Sequence, residues 1–558
     1  AKGPASSGYC AALMSLFAQI LAARSLQGAA AEEFLHPDYD AKPDPFLLSQ
    51  MQAAVDRLVQ AHQRRETIVI YGDYDIDGLS ATALLLDAFA SFGFAAVEAF
   101  IPNRFVEGYG MTKGAVDKVA AMGAQLIVTV DCGSLCHEEI AYAKERYSID
   151  TVVTDHHNIA PTRPPAIATV NPKYDDHHYP FRDLCGAGVA FKLVQALQTV
   201  LPGLPVGYEK WLLDLVALGT VCDIVSLQSE NRANVYWGLE VLKKQRRPGL
   251  KALLAVAGVQ PAQITARTLG FGLGPRMNAA GRLASAEYAL DMLRARDGLA
   301  ALEAAQRLDC FNTERKAIQQ AIYDEACQQA ERYTADPVLV VSQQGWNHGV
   351  IGIVASKLVE AYHKPVFIIG ERGETATGSA RSFGDFSAER AVRAADDVIL
   401  RGGGHAAAAG VTLETRQIDT FRQRVNDYYR SLHLSDQTHY LLPQADVVID
   451  DLSGVTEQLV ADIARLEPFG NGNPEPVLQL RRGTVSQVRH MGSDGQHIKL
   501  TVQDGQGTAL QLLAFNAPPN FVRQPGDVIS AWFQPTINDW RGMRSVEGRL
   551  LHVELVDE

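Results

Sequence analysis

Acidic and imidazole side chains recur in this chain directly after short apolar runs, a placement suited to metal-assisted chemistry at phosphorus. The run ETIVIY leads into Tyr71-Gly72-Asp73-Tyr74-Asp75-Ile76-Asp77-Gly78, and QLIVTV ends at Asp131-Cys132-Gly133. DTVVT ends at Asp155-His156-His157, and WLLDLVALGTVCDIVSL carries Asp223 after a helical stretch, beside a Gly219-Thr220 turn. A single aspartate after a strand is often a turn residue or a helix N-cap, and a lone His-His pair is more often solvated or satisfied in a core. Repetition at successive strand ends exceeds what capping accounts for. Carboxylates with imidazole suit Mn²⁺ or Mg²⁺, and the absence of a CxxC pair disfavours structural zinc. Two such ions sharing one carboxylate would be suited to in-line attack on phosphorus.

The elements around these residues explain why they would converge. From residue 66, short β-branched runs alternate with helix-like stretches such as ATALLLDAFASFG (81–93) and TKGAVDKVAAMG (112–123). That alternation predicts a parallel sheet covered on both faces, with ligands bound beyond the carboxyl ends of its strands. Residues 288–332 form long helical stretches nearly free of Gly and Pro, followed by a second alternation in DPVLVVSQ, GVIGIVASKLVEAY and KPVFIIG. After the Pro/Gly-rich EPFGNGNPEP come short alternating runs that suggest a small β-barrel of the OB type. The fold class is therefore α/β, with two α/β domains joined by a long helical segment and a C-terminal OB-like barrel. We place a helical segment at 1–60, the first α/β domain at 61–287 and connecting helices at 288–335. The second α/β domain is placed at 336–440 and the barrel at 441–558.

In order and spacing, DYDIDG, VTVDCG, TDHH and GTVCD resemble the four motifs of the DHH phosphoesterase superfamily. The resemblance implies Asp73, Asp75, Asp131, His156 and Asp223 as ligands of two divalent cations, Mn²⁺ or Mg²⁺, with Asp131 bridging. It implies that His157 touches the scissile phosphate or supports a ligand, that Asp155 orients the histidines, and that Asp77 tightens the turn before Gly78. Pyrophosphate-cleaving members carry a His four residues before the first Asp, where this chain has Val69. Further segments resemble the RecJ branch. PNRFVEGYG supplies Arg104, and GFGLGPRMNAAGRL supplies Arg276, Asn278 and Arg282 among glycines that would let backbone approach phosphate. WNHGVIGIVASKL, GSARS and GGHAAAAG are similar to the DHH-associated domain. They make Ser379, Arg381, His405, Gly403 and Gly404 candidates for gripping a 5′-terminal phosphate, since Arg can meet phosphate through two parallel hydrogen bonds.

The resemblance implies a single-stranded-DNA-specific 5′→3′ exonuclease that releases 5′-mononucleotides in recombination and repair. It would act as a monomer beside the single-strand-binding protein and a RecQ-type helicase. The barrel segment offers Arg481, Arg482, Arg489, Lys499, Phe515, Phe521, Trp532, Trp540 and Arg541, as stacking and backbone-tracking groups or, for the aromatics, as core filling. The different-class readings are a phosphodiesterase for cyclic dinucleotides or very short oligonucleotides, and a non-catalytic DNA-binding scaffold. The added barrel speaks against the first, and the complete ligand set against the second.

A formal charge of −13 argues against general coating of nucleic acid but leaves room for a confined cationic channel on an acidic body. The seven cysteines, Cys10, Cys132, Cys136, Cys185, Cys222, Cys310 and Cys327, are odd in number and scattered, which points to a reducing cytoplasm rather than a disulfide framework. No apolar run reaches membrane-spanning length. The opening AKGPASSGYC, without Met or a signal pattern, reads as a trimmed terminus.

Overall fold

Runs of Val and Ile too short for helices form a five-stranded, all-parallel sheet in the computed structural model, which describes residues 14–556 apart from 104–105, 108–109, 177, 435–436, 493, 518–520 and 541. Its strands are β1 (Thr67–Gly72), β2 (Ala96–Phe100), β3 (Leu126–Val130), β4 (Asp150–Thr154) and β5 (Ala168–Val170), in the order β2-β1-β3-β4-β5. The inner strands β1, β3 and β4 are buried almost throughout, as a sheet covered on both faces requires. Helices α1 (Met51–Arg64), α2 (Ile76–Phe92), α3 (Lys113–Ala121), α4 (His137–Tyr147), α5 (Gly186–Gln198) and α6 (Leu213–Cys222) supply the cover. Val116, Val119 and Ile140 of α3 and α4 pack on Val69, Ile127 and Val153 of the strands. The chain leaves β1 towards β2 on one side and continues from β3 on the other. The topological switch point therefore lies between β1 and β3, where ligand clefts form in open α/β sheets.

Past this sheet, α7 (Gly274–Leu283) leads to the 33-residue α8 (Gly298–Ala330), which at 1.5 Å per residue spans about 50 Å. Asp297 caps α8 by accepting hydrogen bonds from the amides of Leu299 and Ala300. The next sheet comprises β6 (Leu339–Gln344), β7 (Val366–Arg372), β8 (Thr375–Arg381), β9 (Arg401–Gly404) and β10 (Ala408–Glu414), in the order β6-β7-β8-β10-β9. Only β6 and β7 are parallel, with α9 (Ile351–Tyr362) crossing between them. Ile322, Ile351, Val354 and Leu358 join α8 and α9 to this sheet in one core.

A second compact unit contains the chain up to Lys42, residues 224–237 and residues from Tyr440 onward. In it, β12 (Leu478–Met491), β13 (His497–Gln503), β14 (Ala509–Ala514), β15 (Val528–Trp540) and β16 (Met543–Leu555) pair in the order β12-β13-β14-β16-β15, with β14 parallel to β16. β15 pairs back on β12, so the hydrogen bonding runs round a closed circuit, and β11 (Val447–Ile449) adds to β12. Leu478, Leu480, Leu500, Ile529 and Phe533 fill the interior. The early residues belong here for a physical reason. Arg24 binds Asp446, Asn473 and the Pro474 carbonyl, while buried Arg232 donates to the carbonyls of Phe34, Leu466 and Glu467. These contacts join stretches hundreds of residues apart, so the unit's first part does not read as a local segment. No described helix is long and apolar enough to cross a membrane, and the six described cysteines are free.

Candidate metal centre and substrate site

The carboxyl ends of β1, β3 and β4 deliver acidic and imidazole groups to the switch point. Asp73 follows β1, and Asp75 is the N-cap of α2, accepting from the amides of Asp77 and Gly78. Asp131 follows β3 in a left-handed backbone conformation, φ +60°, which a non-glycine residue holds only when its surroundings fix it. What fixes it is visible. Its amide bonds the Thr154 carbonyl, and Gly186 at the start of α5 packs so closely that a Cβ there would lie 2.5 Å from the Asp131 Cβ. Asp223 caps the C-terminus of α6.

Ligand atoms of Asp73, Asp75 and Asp131 lie within 4.8 Å of one another, as do those of Asp131, His156 and His157 and those of Asp77, His156 and Asp223. The first two sets share Asp131. His156 Nε2 lies 3.0 Å from Asp131 Oδ1 and 3.5 Å from Asp223 Oδ2, yet among the described residues neither that nitrogen nor either Asp131 oxygen has a hydrogen-bond partner. Buried acceptors of this kind ordinarily find a partner. Burial, followed by the charges of Asp77, Asp75, Asp73 and Asp223, pushes the Asp131 carboxyl well above its usual range. Burial and then Asp77 and Asp75 push Asp223 up to about 8, while burial and then the neighbouring His157 charge push His156 down to about 3. An unprotonated imidazole among carboxylates crowded enough to push Asp131 and Asp223 up, despite the nearby charges of His157 and Lys173, is an arrangement that divalent cations would complete. The residues present fit such ions.

Asp155 serves a different purpose. It accepts from the amides of Ser134, His156 and His157 and contacts His157 Nδ1 at 2.9 Å. Burial alone would raise its carboxyl, but the hydrogen bond and charge of His157 outweigh burial and hold it well below the usual range. Burial likewise opposes the charge on His157, and the Asp155 hydrogen bond reverses that, carrying the imidazole up to about 9. Asn171 donates to the His157 carbonyl and to Ser134 Oγ, which sets the loop bearing the histidines.

Asp77 differs from the turn-tightening part expected of it. Asp75 makes that turn, whereas the buried Asp77 carboxylate accepts from the amides of Gly186 and Ala187 at the head of α5 and comes within 3.8 Å of His156 Nε2. Gly219-Thr220 is likewise no turn but lies inside α6. A Cβ at 219 would sit 2.3 Å from Asp77 Oδ1, so glycine there permits the helices to meet over Asp77. These contacts cross more than a hundred residues, and the bare run DYDIDG carries no signal for them.

On the substrate side, Ser379 and Arg381 lie two residues apart on β8, with Arg381 Nη1 donating to Ser379 Oγ and the Ala380 carbonyl. Burial lowers the Arg381 pKa, and among the described residues no carboxylate stands within ion-pair distance of it. A Cβ at Gly352 in α9 would lie 3.0 Å from Ser379 Oγ and 3.1 Å from Arg381 Nη2, so the first turn of that helix abuts the pair. Strand register places Ala408 opposite Arg381 and Gly404 opposite Ala409. Gly403, Gly404 and His405, all exposed, thus stand at the same end of the sheet as Arg381.

Arg282 donates to the Gly349 carbonyl ahead of α9, and Asn278 lies half-buried one turn earlier. Arg276 is engaged elsewhere, with Asp309 of α8 and the Gly272 carbonyl. The glycines before it form no phosphate loop. Thr268–Leu273 is a π-helical turn running into α7, and a Cβ on Gly274 would lie 3.1 Å from Cys222 Sγ, so that glycine serves close helix packing. Arg104 and Arg541 lie outside the described residues. In the C-terminal unit Arg481, Arg482, Arg489 and Phe515 are exposed, Trp532 is buried, Phe521 packs on the core, and Lys499 is tied to Glu547.

Comparison with known proteins agrees with this layout. The chain matches the DHH family N-terminal domain over residues 67–220, the DHHA1 domain over 335–431 and the RecJ OB domain over 446–552. It is 36% identical to the single-stranded-DNA-specific exonuclease RecJ of Salmonella typhimurium, covering 90% of this chain and 89% of that one. The chain belongs to the RecJ family. The Bacillus subtilis RecJ is also 36% identical, over 95% of this chain and 66% of its own length. The crystal structure of Thermus thermophilus RecJ in complex with Mn²⁺ superposes with a TM-score of 0.82 at 29% identity, over 97% of this chain and 76% of that one. A Mg²⁺ complex of the same protein matches with a TM-score of 0.75.

Proposed function

We infer that this chain is a metal-dependent exonuclease that hydrolyses single-stranded DNA from its 5′ end, releasing 5′-mononucleotides in DNA recombination and repair. The observation that carries the inference is the switch-point cluster, in which Asp131 is shared between the Asp73/Asp75 group and the His156/His157 group, set in a chain with RecJ-family domains throughout. Asp73, Asp75, Asp131, His156 and Asp223 would hold two divalent cations, Mn²⁺ or Mg²⁺. Such ions lower the pKa of water and neutralise charge developing on a phosphoryl group. The chain's own residues do the remainder. Asp155, in contact with His157 Nδ1, would orient that imidazole toward the phosphate under attack. Asp77 fixes the head of α5 against Asp131.

Ser379 and Arg381, with Gly403, Gly404 and His405 at the same sheet end, would receive the 5′-terminal phosphate, and Arg104, Asn278 and Arg282 the strand behind it. Arg276 supports α7 through Asp309 while lying beside that path. The exposed Arg481, Arg482, Arg489 and Phe515 suit a single strand's backbone and bases. The enzyme would act in the cytoplasm as a monomer, beside the single-strand-binding protein and a RecQ-type helicase. The test uses 5′-phosphorylated single-stranded oligonucleotides labelled at either end, with Mn²⁺. Stepwise mononucleotide release from the 5′ end, absent with Asp131→Ala and on blunt duplex, is expected. Release from the 3′ end would overturn the polarity, and turnover of dinucleotides alone would overturn the substrate.

A further inference from the structure

The π-helical turn Thr268–Leu273 and α7 lie against the metal centre's neighbours. Gly270 packs near Val221, Gly274 near Cys222 and Ile76, and Cys222 Sγ approaches the Leu269 carbonyl at 3.7 Å. Those neighbours flank Asp75 and Asp223 in sequence. Leu269, Leu273, Met277, Ala279 and Ala280 are buried and anchor one side of the segment. Phe271, Pro275, Asn278 and Arg282 recur at helical spacing on the side left accessible.

Phe271 is the anomaly on that face. Its side chain is 75% exposed, forgoing the burial that normally holds a phenylalanine in a core. Its backbone lies in a π-helical turn, a rare form frequently found at functional sites. The Arg267 guanidinium lies 5.2 Å from its ring centroid, adding positive charge beside the aromatic face. A ring with an adjacent guanidinium, in line with Asn278 and Arg282, matches what a nucleobase and its phosphates require together. We propose that Phe271 is a stacking platform for an unpaired base of the DNA strand, positioned next to the metal centre and reading single-strandedness without reading sequence. Every base has a π face, so the contact tolerates sequence, whereas a base inside a duplex has both faces covered by its neighbours.

This inference rests on the proposed function, and its test separates the two. Oligonucleotides carrying 2-aminopurine at each of the first few positions are bound in EDTA, and abasic analogues at the same positions are used for kinetics. Wild type should quench one position selectively, and Phe271→Ala should lose that quenching while Phe271→Trp keeps it. Loss of the base should raise KM by about 5- to 150-fold in wild type, and Phe271→Ala should show the raised KM on intact DNA with no further abasic penalty and little change in kcat. As the side chain is exposed, the variants should melt like wild type. Quenching and abasic penalty that survive in Phe271→Ala overturn the platform even if DNA is degraded. Phe271-dependent quenching without degradation supports the platform and overturns the exonuclease reading.

Discussion

Asp131→Asn should make the metal-free protein more stable while removing its activity. Asp131 is 1% exposed, and among the described residues its carboxylate oxygens have no hydrogen-bond partner, while Asp73 and Asp75 bring ligand atoms within 4.8 Å. Two unit charges 4.8 Å apart at an effective dielectric of about 20 repel by roughly 3.5 kcal/mol. Proton uptake relieves part of that, leaving about 1–3 kcal/mol for an isosteric neutral amide to recover. The pH dependence has a definite sign. Folding raises the Asp131 and Asp223 carboxyls, the latter to about 8, so their contribution is fully present below the unfolded value near 4 and is lost as pH rises through the folded values. The metal-free melting temperature of wild type should therefore fall between about pH 4 and 8, and that of Asp131→Asn should fall less. Adding Mn²⁺ should raise the wild-type melting temperature by mass action and raise the variant's much less. Activity should drop at least about a hundredfold, since loss of even an outer-shell partner costs a metal site up to that much. Calorimetry in EDTA and in Mn²⁺ across this pH range measures both effects. A variant that melts lower than wild type in EDTA at pH 8 would refute the reasoning, because Asp131 would then be stabilising the bare fold.

Three further outcomes follow from the same geometry. Gly219→Ala should destabilise the protein by about 1–3 kcal/mol, as its Cβ meets Asp77 Oδ1 at 2.3 Å and the Ala187 Cβ at 2.9 Å; an unchanged urea midpoint would show that the helices can part at no cost. Asp155→Asn should cost about 10- to 100-fold in Mn²⁺ half-saturation or turnover by releasing His157, and full activity at ordinary Mn²⁺ would exclude that role. Arg381→Lys should reduce the preference for a 5′-phosphate over a 5′-hydroxyl by about tenfold or more, because an ammonium cannot reproduce the planar fork; equal preference in variant and wild type would move the phosphate elsewhere.

What could be read from the sequence divides along the range of the interactions. β4 coincides with DTVVT, and Asp73, Asp131 and Asp155-His156-His157 stand at strand ends, because a parallel sheet converts a local pattern into a shared edge. β5 leaves no mark in the sequence, since three residues carry no periodicity. Asp77 was legible as an acid but not as the acceptor for Gly186 and Ala187, since that bond joins α2 to α5 across 109 and 110 residues. The same holds for Arg24 and Arg232, whose carbonyl and carboxylate partners gather the chain's beginning, middle and end into one unit. The GFGLG run is ambiguous for a physical reason. Glycine permits close approach to phosphate and close approach to another helix equally well, and here Gly274 meets Cys222. What distinguishes the cases is the residue the glycines leave outside. A phosphate loop leaves amides, whereas this turn leaves Phe271, and an exposed ring asks for a base rather than a phosphate.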